Sequence, residues 1–291
     1  MSTYINDFIK NGEKRNLSKN TLEAYKRDLV KYEDFLSTRK EDFISSDEVS
    51  VMAFVQHLRS LNKANSSIVR IIVTLRVFYK YLVNKNIVDQ SPLFNFENPK
   101  SKRNMPRILS VEEVDKLLNM PDGSTLKGIR DKAMLEVMYA TGMKTTELIN
   151  LKISDVNLKL SYIRCKNNKF ERIIPIGSYA SNCIEEYLKV RPEINFYKSE
   201  DLFFNLKGKK ISRQGFWKII KEYSAMLNIE KQIDSNILRH SFAVHLLQNG
   251  ADIKSIQELL GHTTITSTQI YSSVSKKSKI MDVYKNAHPR A

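Results

Sequence analysis

The segment NILRHSFAVHLLQNGADIKSIQELLGH, residues 236–262, decides the fold of the second half of the chain. Its apolar residues recur at four-residue steps, as on the inward face of an amphipathic helix: Leu238, Phe242 and Leu246. Residues typical of helix caps stand at its breaks: Gly250 and Gly261 after helix ends, Asp252 before a helix start. The segment therefore predicts two consecutive helices, over residues 237–249 and 253–260.

Three side chains of this segment are candidates for binding an anion. Arg239 and His240 lie at the start of the first helix, where unpaired backbone N–H groups favour negative charge. His262 lies just past the end of the second helix. Taken alone, the first two are better explained as solvated side chains, and His262 as a helix cap. Other parts of the sequence have to decide between these explanations.

The sequence between residues 110 and 228 predicts a mixture of helices and strands. Ser110 and Glu113 form a capping box that opens a helix, and Thr141-Gly142 ends another. Strands are predicted over residues 160–165, 170–175 and 201–205. The turn-rich tetrad 166–169 joins the first two. Helices are predicted over residues 126–140, around TELINL, and near 180–190 and 212–228.

The first hundred residues predict a small bundle of about four helices. Asn20 and Glu23 are candidates for a capping box. Two apolar stripes at helical spacing follow: Leu22, Tyr25, Leu29, Tyr32 and Leu36, then Ile68, Ile71, Ile72, Leu75, Phe78, Tyr79 and Leu82. Further helices are expected near residues 2–13 and 47–59. Arg70, Arg76 and Lys80 lie off the second stripe.

Residues 91–109, SPLFNFENPKSKRNMPRIL, contain three prolines and show little periodicity, which is typical of a linker between domains. A chain of 291 residues has room for two ordinary domains. We therefore expect a helical domain over residues 1–90, this linker, and a second domain over 110–291 that combines helices with a small sheet.

The composition favours a soluble globular protein with a polyanionic partner. Hydrophobic residues make up 42% and charged residues 27% of the chain, too apolar a balance for disorder. The 47 basic and 32 acidic residues leave a net charge of +15, which favours nucleic acid as the partner. No apolar run approaches the roughly 18 residues that span a bilayer, and the polar N-terminus is no signal peptide. We expect a cytoplasmic protein without membrane association.

The cysteines and histidines do not support a metal site. Cys165 and Cys183 are the only cysteines, too few for a disulfide framework or a cysteine zinc site. The five histidines are scattered along the chain. No metal and no cofactor are therefore expected.

One reaction uses an arginine, a histidine, a lysine in a hairpin turn and a late tyrosine together, namely phosphoryl transfer to a tyrosine hydroxyl. It needs cations on the non-bridging oxygens, a proton donor to the departing 5′-oxygen and an in-line nucleophile. Lys166 and Lys169 in the predicted turn, and Tyr271 in TSTQIYSSV, supply the missing parts. A tyrosine phosphodiester conserves the energy of the broken DNA bond, so strands can be rejoined without ATP.

Four segments carry a family resemblance: YATGMKTTELINLKISDV (139–156), KNNKFERIIPIG (166–177), LRHSFAVHLLQNGADIKSIQELLGH (238–262) and STQIYSSV (267–274). Together with LSKNTLEAYKRDL near the N-terminus and the terminal HPRA, they resemble the tyrosine recombinase, or phage integrase, family, and within it the Xer-type recombinases. The resemblance implies a mainly α fold with a small β-sheet. A SAM-like helical core-binding domain and a mixed α/β catalytic domain would enclose duplex DNA as a C-shaped clamp.

Carried over by position, the resemblance implies a role for each candidate. Tyr271 would be the nucleophile that forms a 3′-phosphotyrosyl link. Arg239 would hold the scissile phosphate through its planar fork, and His262 would hydrogen-bond the same phosphate. Lys166 would be the general acid to the 5′-oxygen, with Lys169 as its rival, because the turn is one residue longer than the usual pattern.

Two positions depart from the family pattern. Lys144 stands where the ATGxRxxEL motif has an arginine, which keeps the charge but loses the bidentate grip on phosphate. Asn236 stands three residues before Arg239, where a histidine is usual, and it cannot shuttle a proton near neutral pH. Losing one preorganised contact commonly costs on the order of 10²–10³ in rate. A weakened enzyme, or a silent DNA-binding accessory protein of the same fold, is therefore the alternative to a working recombinase.

The resemblance also implies partners. The chain would bind an inverted-repeat DNA site as a pair of protomers, synapse two sites into a homo- or hetero-tetramer, and exchange strands through a Holliday junction, with a partner recombinase as one possibility. Chromosome-dimer resolution, mobile-element integration and DNA inversion share this architecture. A type IB topoisomerase uses the same chemistry, but the N-terminal helical bundle argues against it. The expected DNA contacts are Lys169, His240, Arg70, Arg76 and Lys80.

The segment after the tyrosine, residues 275–285, has apolar residues at helical spacing. In this family such a tail docks on a neighbouring protomer and regulates its tyrosine. A helix packed on its own domain explains the same spacing.

Overall fold

The computed structural model describes residues 2–97, 107–166, 171–229, 233–262 and 287–289. The chain forms two compact units, Met1–Asn104 and Met105–Ala291. The predicted mainly α fold with a small β-sheet is confirmed. No helix of the described residues is both long enough and apolar enough to cross a membrane.

The described part of the first unit is a bundle of four helices: α1 (Thr3–Lys14), α2 (Lys19–Thr38), α3 (Glu48–Ser60) and α4 (Asn65–Asn84). The predicted capping box of Asn20 and Glu23 is wrong. Helix α2 is capped by Ser18, whose side chain accepts a hydrogen bond from the backbone N–H of Thr21. Since a cap residue has to lie outside the helix, Asn20, already in its first turn, cannot cap it.

Both predicted apolar stripes lie in the core of the first unit. All seven stripe residues on α4 are buried. Of the stripe residues on α2, only Tyr25 is partly exposed. Packing of these stripes against each other provides the hydrophobic stabilisation of the bundle, because apolar side chains leave water on folding. The helical periodicity of the sequence was therefore sufficient to identify this core.

The segment predicted as a linker is packed at both of its described ends. Leu93 is buried in the core of the first unit, and Phe96 packs against it. Leu109 is buried in the core of the second unit, where its N–H donates to Ser241 Oγ at 2.9 Å. Its carbonyl oxygen lies 3.0 Å from Nε2 of His245. The composition of this segment did not reveal these contacts, because proline content reports on regular structure and not on packing.

The second unit combines seven described helices with one small sheet. The helices are α5 (Val111–Asn119), α6 (Leu126–Thr141), α7 (Thr145–Leu148), α8 (Ser178–Val190), α9 (Arg213–Met226), α10 (Ile237–Gln248) and α11 (Ile253–Leu260). The strands are β1 (Val156–Asn157), β2 (Tyr162–Lys166) and β3 (Glu171–Pro175). As predicted, Ser110 and Glu113 form the capping box of α5, and Asp252 caps α11.

The sheet is antiparallel with the order β1-β2-β3, and Cys165 pairs with Arg172 across the β2–β3 hairpin. The prediction of its third strand at residues 201–205 is wrong. Within the described residues this segment forms isolated bridges only, at Asp201 and Phe204. Arg191 donates to the carbonyl oxygen of Leu202 at 3.1 Å. Since that side chain occupies an acceptor that a strand would use for its ladder, the apolar run packs as a buried irregular segment.

Helices α6 and α11 both end in a glycine of left-handed conformation. Gly142 has φ 56° and Gly261 has φ 64°, a region that favours glycine because it lacks a Cβ atom. The predicted helix ends at both glycines are confirmed. The last carbonyl groups of the two helices consequently point out of the helices, where another side chain can bind them.

Replacing Gly142 should destabilise the second unit. A Cβ atom at this position would overlap the buried ring of Phe242, and the positive φ adds backbone strain. We expect Gly142→Ala to lower the free energy of unfolding by about 1–3 kcal/mol, measured by denaturant unfolding. Gly123→Ala is the matched control, because a Cβ atom there meets nothing within 4 Å. Equal stability of the two variants would contradict this assignment.

Candidate active site

Arg239, on the first turn of α10, is buried, with 4% of its surface exposed. Its guanidinium donates to the carbonyl oxygen of Gly142 at 2.7 Å and to that of Leu260 at 3.0 Å. A third contact, at 2.8 Å, joins it to Nε2 of His262. The arginine therefore connects the ends of α6 and α11, and it is not a solvated side chain. Carbonyls that the helices leave unpaired hold the plane of its fork in place.

The imidazole of His262 is neutral in this arrangement. Because a guanidinium only donates hydrogen bonds, Nε2 of His262 has to accept, and the ring proton then lies on Nδ1. Burial lowers the pKa of His262 to about 4, and the positive charge of Arg239 is the next largest cause. The charges of Lys144, Arg172 and His240 act in the same direction. These groups thus form one electropositive site around the ring.

Lys144 is exposed and lies immediately before α7. Its backbone N–H donates to Glu147 Oε2 at 2.8 Å, so the glutamate holds the turn from which the lysine projects. Glu147 is buried and pairs with Arg172 of β3, whose two terminal nitrogens lie 2.9 and 2.8 Å from the two carboxylate oxygens. Burial alone would raise the pKa of Glu147, but the hydrogen bonds and charge of Arg172 outweigh it and lower that pKa.

Lys166, the last residue of β2, pairs with an acidic group. Its Nζ lies 3.0 Å from Oδ1 of Asp155, and 52% of the lysine side chain is exposed. The other oxygen of Asp155 accepts the backbone N–H of Lys152 at 3.0 Å. The ammonium is therefore held at the edge of the sheet, where the hairpin turn begins. Lys169, Tyr271 and the segment 275–285 with its helical spacing lie outside the described residues.

Asn236 and His240 flank Arg239 on α10. Within the described residues the side chain of Asn236 does not cap this helix, and it is exposed, while its backbone N–H donates to Asp234 Oδ1 at 2.6 Å. His240 is half-buried, and burial lowers its pKa, with the charge of Arg239 in the same direction and Asp234 opposing. Both predicted residues consequently lie at the open start of α10.

In the first unit, two of the three candidate DNA contacts have partners within their own bundle. Arg70 pairs with the buried carboxylate of Asp28, and Arg76 donates to the carbonyl oxygen of Phe96. Lys80 is exposed and lines a surface cavity of about 400 Å³ together with other residues, among them the cations Arg15 and Lys85. A position off the apolar stripe therefore did not distinguish an arginine that supports the bundle from one that is available to a ligand.

Three residues beside the site were not recognised from the sequence: Glu147, Arg172 and Asp155. Glu147 had a usable signal, because it stands three residues after Lys144, where the acid of a capping box belongs. Asp155 had the same signal, three residues after Lys152, but its pairing with Lys166 is made only in the tertiary structure, as are the contacts of Arg172. No group of three or more potential metal ligands occurs in the described part of the chain.

Comparisons with known proteins agree with this architecture. The phage integrase family matches residues 107–278, and the phage integrase N-terminal SAM-like domain matches residues 5–86. The chain is 42% identical over 283 residues to tyrosine recombinase XerD of Halalkalibacterium halodurans, covering 95% of this chain and 94% of that protein. It is 41% identical to tyrosine recombinase XerD of Staphylococcus epidermidis, covering 100% of both.

Solved structures share the fold. The XerH recombinase in its post-cleavage complex with palindromic difH matches with a TM-score of 0.76 and 23% identity, covering 90% of this chain and 78% of that one. The XerA recombinase matches with a TM-score of 0.53 and 25% identity, covering 100% of both chains.

The chain belongs to the phage integrase family. It is a tyrosine recombinase, an enzyme of site-specific DNA recombination, and its similarity to XerD proteins confirms the Xer-type resemblance of the sequence.

The neutrality of His262 can be tested by its titration. The imidazole signals that disappear in His262→Gln should titrate near pH 4 in the folded protein, measured by NMR. Because the unfolded chain takes up this proton near pH 6.5, the contribution of His262 to stability is complete above that pH. It is lost as the pH falls from 6.5 towards 4. A midpoint near 6.5 in the folded protein would contradict the buried, cation-surrounded arrangement.

Proposed function

We propose that this recombinase cleaves DNA with Tyr271 while Arg239, His262 and Lys144 hold the scissile phosphate. The observation that carries this proposal is the buried Arg239 fork, fixed by two helix-end carbonyls and placed against a neutral His262. Such a site stabilises developing negative charge without reorganising during the reaction, because its donors are already oriented. Lys144 adds a positive charge at the exposed side of the same site.

The bond changes balance without a cofactor. The Tyr271 hydroxyl loses its proton to water as its oxygen attacks the phosphorus in line with the 5′-oxygen, the phosphotyrosyl bond forms at the 3′ side, and the bond from phosphorus to the 5′-oxygen breaks. The departing 5′-oxygen takes a proton from a lysine. In the second step a 5′-hydroxyl of the partner strand returns a proton to that lysine and attacks the same phosphorus. The phosphotyrosyl bond breaks, the Tyr271 oxygen regains a proton from water, and the DNA is rejoined.

The proton donor is one of the two hairpin lysines. Lys166 has to leave the carboxylate of Asp155 before it can reach the 5′-oxygen, because the two groups form an ion pair. Lys169 remains its rival for this role. The pairing with Asp155 holds the Lys166 ammonium at the edge of the sheet, where the hairpin turn begins.

The DNA partner is proposed from the charge of the chain and from its structural relatives. A net charge of +15 suits a polyanion, with lysines contributing salt-dependent affinity. Among the relatives, XerH was solved on its difH substrate and a lambda integrase tetramer on a Holliday junction. We infer that this chain binds duplex DNA at inverted repeats, through both the domain over 1–90 and the domain over 110–291.

The assembly and setting follow from the same proposal. Two bound sites would be synapsed by four protomers, all of this chain or shared with a partner recombinase, and a cytoplasmic location gives access to chromosomal DNA. Residues 275–285 would connect neighbouring protomers. The expected contacts to DNA are Lys80, Lys169 and His240. Arg70 and Arg76 are also expected contacts, but each would bind a phosphate while it keeps its partner within the bundle, Asp28 or the carbonyl oxygen of Phe96.

Covalent trapping tests the cleavage chemistry. The DNA site is first selected from random duplexes by binding, and a nicked suicide substrate with that site is then incubated with the protein. We expect a covalent adduct with wild-type protein and none with Tyr271→Phe, because the nucleophilic oxygen is missing. Binding to the selected site should be the same for both. Tight binding without an adduct would instead support the silent accessory protein.

The two departures from the family pattern can be reversed. We expect the double change Lys144→Arg and Asn236→His to raise the single-turnover cleavage rate by about tenfold or more, because an arginine fork and an imidazole donor hold the transition state better. Lys159→Arg is the control for adding an arginine at an exposed position. An unchanged rate in the double variant would show that the native Lys144 and Asn236 already complete the site.

A further inference from the structure

Arg172 of β3 has no role in the function proposed above, yet its side chain contacts two elements beside the proposed phosphate site. It spans from the hairpin to two other elements: its terminal nitrogens bind both oxygens of Glu147 on α7, and its Nε donates to the carbonyl oxygen of Leu259 at 2.8 Å at the end of α11. The side chain is largely buried, with 10% of it exposed. One guanidinium therefore joins three separate pieces of the chain around the proposed phosphate site.

We propose that Arg172 is a positioning residue of the recombinase: acting through Glu147 and the end of α11, it sets the places of Lys144 and His262 without contacting DNA. This inference rests on the roles proposed above for Lys144 and His262. Sequence reasoning offered no sign of it, because Arg172 lies 25 residues from Glu147 and 87 from Leu259 along the chain.

The link to Lys144 passes through a single oxygen atom. Oε2 of Glu147 accepts one hydrogen bond from Arg172 and one from the backbone N–H of Lys144, each at 2.8 Å. Rotation of the carboxylate away from Arg172 would also break the bond to Lys144. Since a bidentate arginine fixes the plane of its carboxylate, Arg172 determines how the turn before α7 is held.

The link to His262 passes through the end of α11. Arg172 binds the carbonyl oxygen of Leu259, and Arg239 binds that of Leu260, so two arginines hold consecutive carbonyls of one helix end. A Cβ atom on Gly261 would lie 2.7 Å from a terminal nitrogen of Arg172, which shows how closely the guanidinium lies against this turn. The next residue along the backbone is His262.

A buried ion pair can also be purely structural, and the same unit contains one for comparison. Arg130 of α6 is buried, donates twice to Oδ1 of Asp131 at 2.9 and 2.6 Å, and binds the carbonyl oxygen of Phe204 at 3.3 Å. It has the same types of partner as Arg172. Gly142 lies twelve residues further along α6, about 18 Å away at 1.5 Å per residue. Arg130 is therefore a matched control that lacks the link to the site.

The experiment compares Arg172→Lys with Arg130→Lys in the full chain. Each lysine keeps the positive charge but cannot reproduce a bidentate fork together with a carbonyl bond. Both variants should lose a similar amount of thermal stability. We expect only Arg172→Lys to lower the single-turnover cleavage rate at saturating DNA, by about 10–100-fold, because small misplacement of catalytic groups is costly. Its Kd for DNA should stay within about threefold of wild type, since no phosphate contact is removed.

A second readout does not depend on cleavage. The NMR titration midpoint of His262 should rise by about one pH unit or more in Arg172→Lys, because the ring loses its fixed place among the surrounding cations, and stay unchanged in Arg130→Lys. If wild-type protein forms no Tyr271 adduct, the proposed function fails while this titration still tests Arg172. Should Arg172→Lys not fold, the double change Arg172→Gln and Glu147→Gln, which leaves no unpaired buried charge, takes its place with the same expectations.

Equal loss of cleavage in Arg172→Lys and Arg130→Lys would overturn the proposal, because it would reflect instability alone. An unshifted His262 midpoint in the Arg172 variant would overturn it as well.

Discussion

The buried guanidinium of Arg239 binds the carbonyl oxygens of Gly142 and Leu260, which are more than a hundred residues apart in the sequence. Helix ends leave such carbonyls without an internal partner, and a buried cation needs acceptors in place of water, so each satisfies the other. The two glycines at these ends make the arrangement possible, because their left-handed conformation turns the chain sharply away after the last carbonyl. The place of His262 follows from the same turn. Geometry that stabilises the unit is thus also the geometry of its proposed phosphate site.

Positive charge exceeds negative charge around this site, which suits an anionic substrate. Arg239, Lys144 and Arg172 bring positive charge, and Glu147 brings a carboxylate that Arg172 binds. Because Arg172 engages both oxygens of that carboxylate, it neutralises the acid within the protein and leaves the field of the other cations directed at a ligand. His262 stays neutral in this field. It can therefore donate a hydrogen bond to a phosphate without adding a positive charge that the neighbouring cations would repel.

Local patterns accounted for most elements of the fold. Apolar periodicity identified the helices α2 and α4 with their buried faces, and cap residues placed the start and end of α11. The failures have a common cause. Residues 201–205 have the local pattern of a strand, but Arg191 binds the carbonyl oxygen of Leu202. Arg70 has the sequence position of a surface cation, but it pairs with the buried carboxylate of Asp28. Long-range polar partners overrode local preference in each case.

By itself, the sequence determined the mainly α class, the two helical regions on either side of a proline-rich segment, and the residue types at the ordered motifs around Arg239 and His262, because these depend on spacing along the chain. Only the tertiary structure decided that Arg239 is buried against two helix ends and that Lys166 pairs with Asp155. It also decided that Arg172 reaches the site. Those contacts join residues far apart in the sequence, and no periodicity or motif records which side chains meet when separate elements pack together.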